Sequence, residues 1–466
     1  MFNVSFSSSK IDNAVRKVYL TIVDELSMAG QQIIGLAETV TRKIRGNNRP
    51  WGGIHICFTG DWLQLPPIGS RRMFEEPNDK FKDANTIAAF ELWTACNFRV
   101  ILQNNMRQRT DPPFAASLRR LHWGVATDDD IEFWNEAADF EKHILTDQPV
   151  IIPSEDNFSP IAIGLNIERC AFNRQSIKAE CRASMAILFE IAAEPSNAAN
   201  KKLIRRLDFM DEDKTDKVPL LFQFYIGMPI MITKRIKKLE PLRLISNGTI
   251  GNVLGFIPHG ALEYRQDDCY FDIAQKNGII YKRFKIVPKF MIVKIRGCNR
   301  VLVEGYPIGV CLIPPLHAPI EIILPHNGTS IYPTVDQFPF ICANAMTPEK
   351  LQGITLFLNM YFGEIISKRV SEASCYVAFS RVLEAKYLVF IERITRELIK
   401  KFNPPISVLM EMRNILENLN HPPYMTSDQS ITYFSWLKQE NEYCREACRL
   451  HIRECITQVD VVMNKE

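Results

Sequence analysis

None of the 21 glycines in this 466-residue chain is followed by lysine. The loop Gly-x-x-x-x-Gly-Lys-Ser/Thr, whose backbone N–H groups and lysine cradle nucleotide phosphates, is therefore not among these residues. No apolar run reaches the ~18 residues of a membrane span. The N-terminus, Met-Phe-Asn-Val-Ser-Phe-Ser-Ser-Ser-Lys, has no apolar core of a secretory signal. The twelve cysteines include no Cys-x-x-Cys pair, and their irregular spacing fits reduced thiols inside a cell better than a disulfide framework. Internal repeats and low-complexity tracts are absent too. The 56 basic and 53 acidic residues leave a net charge of +3, so no global field marks a nucleic-acid partner. The expectation is a soluble intracellular protein that makes no use of a membrane.

What is present is ordinary for a globular chain, with 46% hydrophobic and 23% charged residues. At roughly 150 residues per domain, the length suggests about three domains. Basic residues cluster locally: Lys201-Lys202 with Arg205-Arg206, Lys234-Arg235 with Lys237-Lys238, and Lys282-Arg283 with Lys285 and Lys289. Such clusters either neutralise phosphates or form solvated surface.

Val18-Tyr-Leu-Thr-Ile-Val23 is a β-branched apolar run that stops at Asp24-Glu25. Ile54-His-Ile-Cys-Phe-Thr59 is a second, stopping at Gly60-Asp61. A helix-like stretch from Ser27 to about Ile44 lies between them. Continuous apolar strands alternating with helices predict a parallel sheet buried on both faces. Ligands bind such sheets at the carboxyl ends of strands, where both acidic stops lie. Residues 114–139 read as helical, 140–160 as a linker rich in Pro, Asp and Ser, and 167–191 as helical again. From about 217 to 335, short alternating runs with many Gly and Pro predict a small β-rich module. Strand, helix and strand return over 341–391, and 396–466 reads as a helical tail with Pro breaks near 404 and 422. In that tail Cys444, Cys448, His451 and Cys455 share one helical face. Their ends are about 16 Å apart at a rise of 1.5 Å per residue, too far for one tetrahedral zinc ion, so a packing stripe is expected.

A nucleotide hydrolase needs a carboxylate to hold the magnesium shell, a second to orient or deprotonate water, and a polar group that senses the γ-phosphate. Asp24, Glu25 and Gln64 suit those three roles. Asp24-Glu25-Leu26-Ser27-Met28 followed by Gly60-Asp61-x-x-Gln64-Leu65-Pro66-Pro67 resembles the Walker B and third motifs of the PIF family. These are superfamily-one, RecA-like DNA helicases, and they include those encoded by Helitron transposons. Further blocks resemble the family in the same order. They are Leu102-Gln-Asn-Asn-Met106-Arg107-Gln108, Gly227-Met-Pro-Ile-Met-Ile with Asn247-Gly248-Thr249-x-Gly251, Ala345-Met-Thr347-Pro-Glu-Lys350-Leu-Gln352-Gly353-Ile-Thr355, and Tyr376-Val-Ala-Phe-Ser380-Arg381. Together they span residues 18 to about 391.

The resemblance implies an α/β fold of two RecA-like parallel-sheet domains with a small β-barrel-like insertion in the second. Its units would be residues 1–139 (first RecA-like domain), 140–216 (linker and start of the second), 217–335 (insertion), 336–395 (remainder of the second) and 396–466 (tail). It implies an ATP-dependent DNA helicase that moves 5′ to 3′ and serves replication, repair, recombination, telomere upkeep or transposition, in nucleus or mitochondrion. Mg2+ would be held through water by Asp24, and Glu25 would be the general base. Gln64, Arg107 and Arg381 would contact the γ-phosphate, and Gln352 and Gly353 would line the nucleotide cleft. Pro66, Pro67, Thr347, Lys350 and Thr355 would contact single-stranded or forked DNA, and a monomer is expected. Trp62, Pro66, Pro67, Phe114 and Trp123 offer stacking surfaces for bases, with core packing the alternative for Phe114 and Trp123. Asn247-Gly248 is equally a hairpin turn.

The family places its phosphate loop and a strand before the Walker B strand, and only 17 residues precede Val18 here. The first domain is therefore expected to be truncated, with an uncovered sheet edge and exposed apolar surface that favour aggregation. Weak or absent ATP hydrolysis is also expected. The other readings are a relic that grips single-stranded DNA without turnover, and a longer natural protein that starts upstream.

Overall fold

The structure, a computed structural model, describes residues 9–78, 83–137, 159–208, 210, 212–235, 245–259, 270–324, 328–356, 360–362, 373–420 and 427–463. Most of the expected linker at 140–160, Lys237-Lys238 and the break near 422 lie outside the described residues. No described helix is long and apolar enough to cross a membrane.

The first unit begins with α1 (Ser9–Arg16), β1 (Leu20–Val23), α2 (Gln31–Arg45), β2 (His55–Phe58) and α3 (Ala84–Thr94). The two β-branched runs pair in parallel, Leu20 opposite His55 and Val23 opposite Phe58. Asp83 fixes the start of α3, accepting the N–H groups of Asn85 and Thr86 while its own N–H donates to the Thr86 hydroxyl. Val23, Ile56 and Phe58 turn towards the core. On the opposite face Leu20 and Ile22 stand 55% and 62% exposed, and Tyr19, just before the strand, is 82% exposed. The sheet expected to be buried on both faces is thus covered on one face only among the described residues, and its other face is open apolar surface.

The helical reading of 114–139 becomes two helices, α4 (Pro112–Trp123) and α5 (Asp128–Ala137). Gly124 separates them at φ 72, a left-handed cap that glycine adopts without steric cost. β3 (Ile161–Ala162) and α6 (Asn166–Ala183) follow. The expected helix to residue 191 ends early: Met185 takes a left-handed φ of 54, and Leu188–Ala192 forms β4, with Leu188, Phe189 and Ile191 all buried.

The β-rich region holds β5 (Glu194–Pro195), α7 (Ala198–Arg206), β6 (Leu221–Phe224), β7 (Pro229–Ile232) and β8 (Ile250–Ile257). β9 (Phe271–Lys276), β10 (Ile279–Phe284), β11 (Phe290–Ile295), β12 (Val310–Ile313) and β13 (Leu316–Pro319) continue it. β14 (Ile322–Ile323), β15 (Ser330–Ile331), β16 (Thr334–Gln337) and β17 (Phe340–Cys342) complete it. The sheets run β6-β4-β10-β9, β12-β11-β8-β7-β17, β13-β16-β5 and β14-β15. Among the described residues none closes on itself, so the expected barrel-like insertion is a set of open sheets. β4 and β17, outside 217–335, join it because Phe189 and Phe340 share one apolar core with Phe222, Phe224 and Met291.

The second parallel sheet has the order β18-β3-β19-β20, with β18 (Ala345–Met346), β19 (Met360–Phe362) and β20 (Leu388–Phe390). All three pairings are parallel. α8 (Pro348–Leu351) and α9 (Ser374–Phe379) lie between these strands in sequence. α10 (Arg396–Lys400), α11 (Ile406–Glu417) and α12 (Ser427–Met463) form the tail.

Sequence neighbours do not always share a core. Phe114, Leu118 and Leu121 of α4 and Trp134 of α5 pack with Phe379, Leu388 and Phe390 of the second unit. Conversely, Val408, Leu409, Met412 and Leu416 of α11 and Cys444 and Ala447 of α12 pack with Leu26, Ile54, Trp62 and Trp123. Two indoles tie the tail down: Trp93 Nε1 donates to Glu411 Oε1 at 2.9 Å, and Trp123 Nε1 to Glu440 Oε2 at 2.7 Å. Arg119 pairs with Glu440 Oε1 at 2.7 Å. Cys444 is buried and Cys448 half-buried in this core, so these members of the cysteine stripe pack. Among the described residues no three His, Cys, Asp or Glu side chains could hold a metal ion.

Candidate functional site

Asp24 and Glu25 follow β1 at its carboxyl end. Asp24 is exposed, and its Oδ1 accepts the Thr59 hydroxyl at 2.6 Å. Glu25 holds a left-handed backbone, φ 53 and ψ 44, a conformation costly for a residue with a side chain. The turn beyond it is clamped: Leu26 N donates to Thr59 O at 3.0 Å. A Cβ at Gly60 would sit 2.7 Å from Leu26 N, so the position needs glycine.

Asp61 organises the next turn. Its Oδ1 accepts Leu63 N at 3.0 Å, and its Oδ2 accepts Gln64 Nε2 at 3.0 Å and meets His122 Nε2 at 2.7 Å. Burial pushes the Asp61 carboxyl up. The His122 charge and hydrogen bond, with those of Gln64 and Leu63, outweigh it and hold the group below its ordinary value. Gln64 is thereby fixed by Asp61, and Asp61 by His122. The His122 ring lies 4.3 Å from that of Tyr376, whose phenol burial pushes well up.

The opposite wall comes from the second unit and the segment before α4. Arg107 Nε donates to Thr355 Oγ1 at 3.1 Å and Nη1 to Ser380 O at 3.0 Å. Gln108 Nε2 donates to the same carbonyl at 3.0 Å and to Val382 O at 2.6 Å. Arg381 is 3% exposed; its Nε donates to Val377 O at 2.7 Å and Nη2 to Ser380 Oγ at 2.6 Å. Burial lowers both guanidinium values, that of Arg381 to about 10 with Arg107 adding to the fall, while Tyr376 and Glu25 act against it on both. Gln352 Nε2 reaches across to Glu25 Oε2 at 2.7 Å, and a Cβ at Gly353 would lie 3.7 Å from Glu25 Oε1. Asp111 caps α4 through Oδ1 (Phe114 N, 3.1 Å) and holds Ala385 N through Oδ2 at 3.0 Å.

Glu25, Arg107, Thr355, Gln352, Gly353 and Arg381 thus meet in one cleft, with Asp24, Asp61 and Gln64 along its first wall. Lys350 is half-buried on α8, Pro66 half-buried and Pro67 buried. Thr347 is 2% exposed and its carbonyl accepts Lys350 N at 2.9 Å, so its side chain is turned inward. The stacking role considered for Trp62 does not hold in this structure. The ring is 5% exposed, packed edge-on against Phe74 and Trp93 at 5.0 and 5.1 Å. Phe114 and Trp123 are core residues. His122 and Tyr376 escaped the sequence reading as site residues because their partners lie far away in the chain.

His122→Ala is expected to cost about 1–3 kcal/mol at neutral pH, the scale for a buried acceptor that loses its partner. The carboxylate's contribution is present above its ordinary value and lost as pH falls through its lower folded value, so the gap between parent and variant narrows below pH about 4. Denaturant melts at pH 7 and pH 3 measure both; an equal gap at the two values would show that the pair is not its source.

The profile of the PIF1-like helicase family matches residues 4–117. The ATP-dependent DNA helicase PIF1 of Emericella nidulans is 25% identical over 393 residues, 80% of this chain and 47% of that protein. The chain resembles the PIF1-like helicase family, and its N-terminal quarter carries the match to that family's profile. The Saccharomyces cerevisiae ATP-dependent DNA helicase PIF1 is 34% identical over 108 residues, 23% of this chain and 12% of that protein. The chain thus spans about half the length of the first of these relatives and far less of the second. The crystal structure of the Candida albicans Pif1 helicase superposes with a TM-score of 0.57 at 19% identity, over 88% of this chain and 78% of that one. A Bacteroides Pif1 helicase in complex with ADP-AlF3 and ssDNA gives 0.55 at 16%, over the same shares. These PIF1-like neighbours support the two-unit α/β fold.

Proposed function

We propose that the cleft is the nucleotide site of an ATP-dependent DNA motor that unwinds DNA 5′ to 3′. The observation that carries this reading is the meeting of Glu25 from one wall with Arg107, Arg381 and Gln352 from the other. A relative named as an ATP-dependent DNA helicase and a fold neighbour holding ADP-AlF3 and ssDNA support it. Glu25 takes the proton of the attacking water, and Gln352 orients that carboxylate. Gln64, held by Asp61 and His122, senses the γ-phosphate, and Arg107 and Arg381 stabilise charge in the transition state. Asp24 fits a water-mediated Mg2+ site, since that ion takes one or two carboxylates and leaves its other positions to water and phosphate. When bound, Mg2+ neutralises phosphate charge. Pro66, Lys350 and Thr355 contact the DNA, whereas Pro67 and Thr347, both buried, do not present their side chains to it. Thr355 also accepts from Arg107, which couples the DNA loop to the nucleotide wall. The cellular setting is repair, recombination, telomere maintenance or transposition, in nucleus or mitochondrion.

The second reading is single-strand binding without turnover, favoured for these residues by the missing Gly-Lys. On that reading the purified chain binds single-stranded DNA in a salt-sensitive way and hydrolyses ATP at the buffer rate. Strong DNA-stimulated hydrolysis would remove the second reading; no DNA binding at low salt would remove both.

A further inference from the structure

Gln108 is 2% exposed beside Arg107, and its side-chain amide ends on backbone. Nε2 donates to Ser380 O at 3.0 Å and to Val382 O at 2.6 Å, the two carbonyls that flank Arg381. The carbonyl between them, Arg381 O, accepts Leu356 N at 2.9 Å. Three consecutive carbonyls are thus held, two of them by one amide. Ser380 lies just past the last turn of α9, where carbonyls have no partner within the helix.

The amide is itself held in place. Asn105 Oδ1 accepts the backbone N–H groups of Arg107 and Gln108, each at 3.1 Å, and Gln108 O accepts Asp111 N at 3.0 Å. Arg107 Nη1 meets the same Ser380 carbonyl at 3.0 Å. Two successive residues of the segment before α4 therefore share one anchor point with the backbone that carries Arg381.

We infer that Gln108 is a positioning residue of the nucleotide wall, fixing the separation of the Arg107 and Arg381 guanidinium groups so that one polyphosphate meets both. The inference rests on the nucleotide-site reading of the cleft and adds to it the part that sets the pair. Like charges repel, and the Arg107 charge already weakens the hold of buried Arg381 on its proton. A clamp on both sides of Arg381 keeps the two cations together before any ligand arrives. Donors fixed in advance are not reordered on binding, so the clamp contributes to affinity. A glutamine that only satisfied the Ser380 and Val382 carbonyls would contribute to stability and leave phosphate binding untouched.

The test is Gln108→Met, which keeps length and loses both donors. Thermal melts over a pyrophosphate series yield the dissociation constant separately from the basal melt. Pyrophosphate binding is expected to weaken roughly tenfold, the scale of one or two neutral hydrogen bonds. Asn135→Ala is the control for stability. Asn135 is also buried, donates to Ile394 O at 2.9 Å and accepts Ile394 N at 2.8 Å, away from the cleft. It is expected to lower the basal melt and to keep the parent's pyrophosphate affinity. Gln108→Asn, one methylene shorter, keeps the amide and gives up its double reach; it asks the same question should the methionine variant fail to fold, and weaker binding is again expected. Parent-like affinity in the folded Gln108 variants, or an equal loss in Asn135→Ala, overturns this inference alone. A parent that pyrophosphate does not stabilise overturns it together with the nucleotide-site reading.

Discussion

A chain ending at Asn403 is expected to pellet on expression and to show no cooperative melt. The reason lies in which core the tail completes. α11 supplies Val408, Leu409, Met412 and Leu416, all buried among Leu26, Ile54, Trp62 and Trp123. At about 1.5–3 kcal/mol for each large side chain buried, these four contribute about 6–12 kcal/mol, as much as the whole stability of a typical domain. Deletion also strips the Trp93 and Trp123 indoles of Glu411 and Glu440, hydrogen bonds to charged acceptors that contribute about 1.5–3 kcal/mol each. A finer pair of variants separates packing from polar ties. Glu440→Gln keeps an acceptor for Trp123 and gives up the charge pair with Arg119; Glu440→Ala gives up both and is expected to melt lower. A soluble, cooperatively melting chain that ends at Asn403 would show the tail to be an accessory.

Arg381→Met is expected to abolish the stabilisation that pyrophosphate gives the parent chain, about 2.7 kcal/mol at a hundred times Kd. Arg381 is almost fully buried, and the neighbouring charge of Arg107 is of the same sign. A base whose folded value lies below its ordinary one gives up its proton sooner in the folded state. The cost of the buried charge is therefore fully present at pH 7 and is relieved only as pH rises through about 10. A bound polyphosphate relieves it at neutral pH by supplying the missing partner. Methionine fills a similar volume without charge, so the unliganded variant should melt no lower than the parent by more than the two lost hydrogen bonds, about 1 kcal/mol each. The response to ligand and the basal melt thus move independently. Thermal melts with and without pyrophosphate measure both, and a variant that responds like the parent would remove Arg381 from the phosphate-binding wall.

Much of the cleft was legible in the chain. β1 and β2 announced themselves as β-branched runs, and their acidic stops fall at the carboxyl end, where parallel sheets bind ligands. Arg107 reaches the carbonyl of Ser380, the residue next to Arg381, from far away in the chain. Other features were not legible. Reading 114–139 as one helix misses the break at Gly124, although a glycine behind Arg120 and His122 is a helix-stop signal. β4 is a five-residue run whose type is decided by β6 and β10 beside it, a tertiary override that periodicity cannot see. The exchange of helices between cores leaves no local mark, because an apolar helix face does not state which sheet it will cover. Asp61 and His122 looked like a motif residue and a helix residue until folding set them 2.7 Å apart.

α4 joins these themes. Its N-terminal end is pinned by Asp111 to the backbone of Ala385 and by Phe114 to the second core. Its C-terminal end is pinned by Trp123 to the first core and by His122 to Asp61. Twelve helical residues make a rod about 18 Å long that neither stretches nor compresses appreciably. A strut fixed at both ends allows the bodies it joins to pivot and forbids them to drift apart. The span between Ala385 and Asp61 is then set by the length of α4.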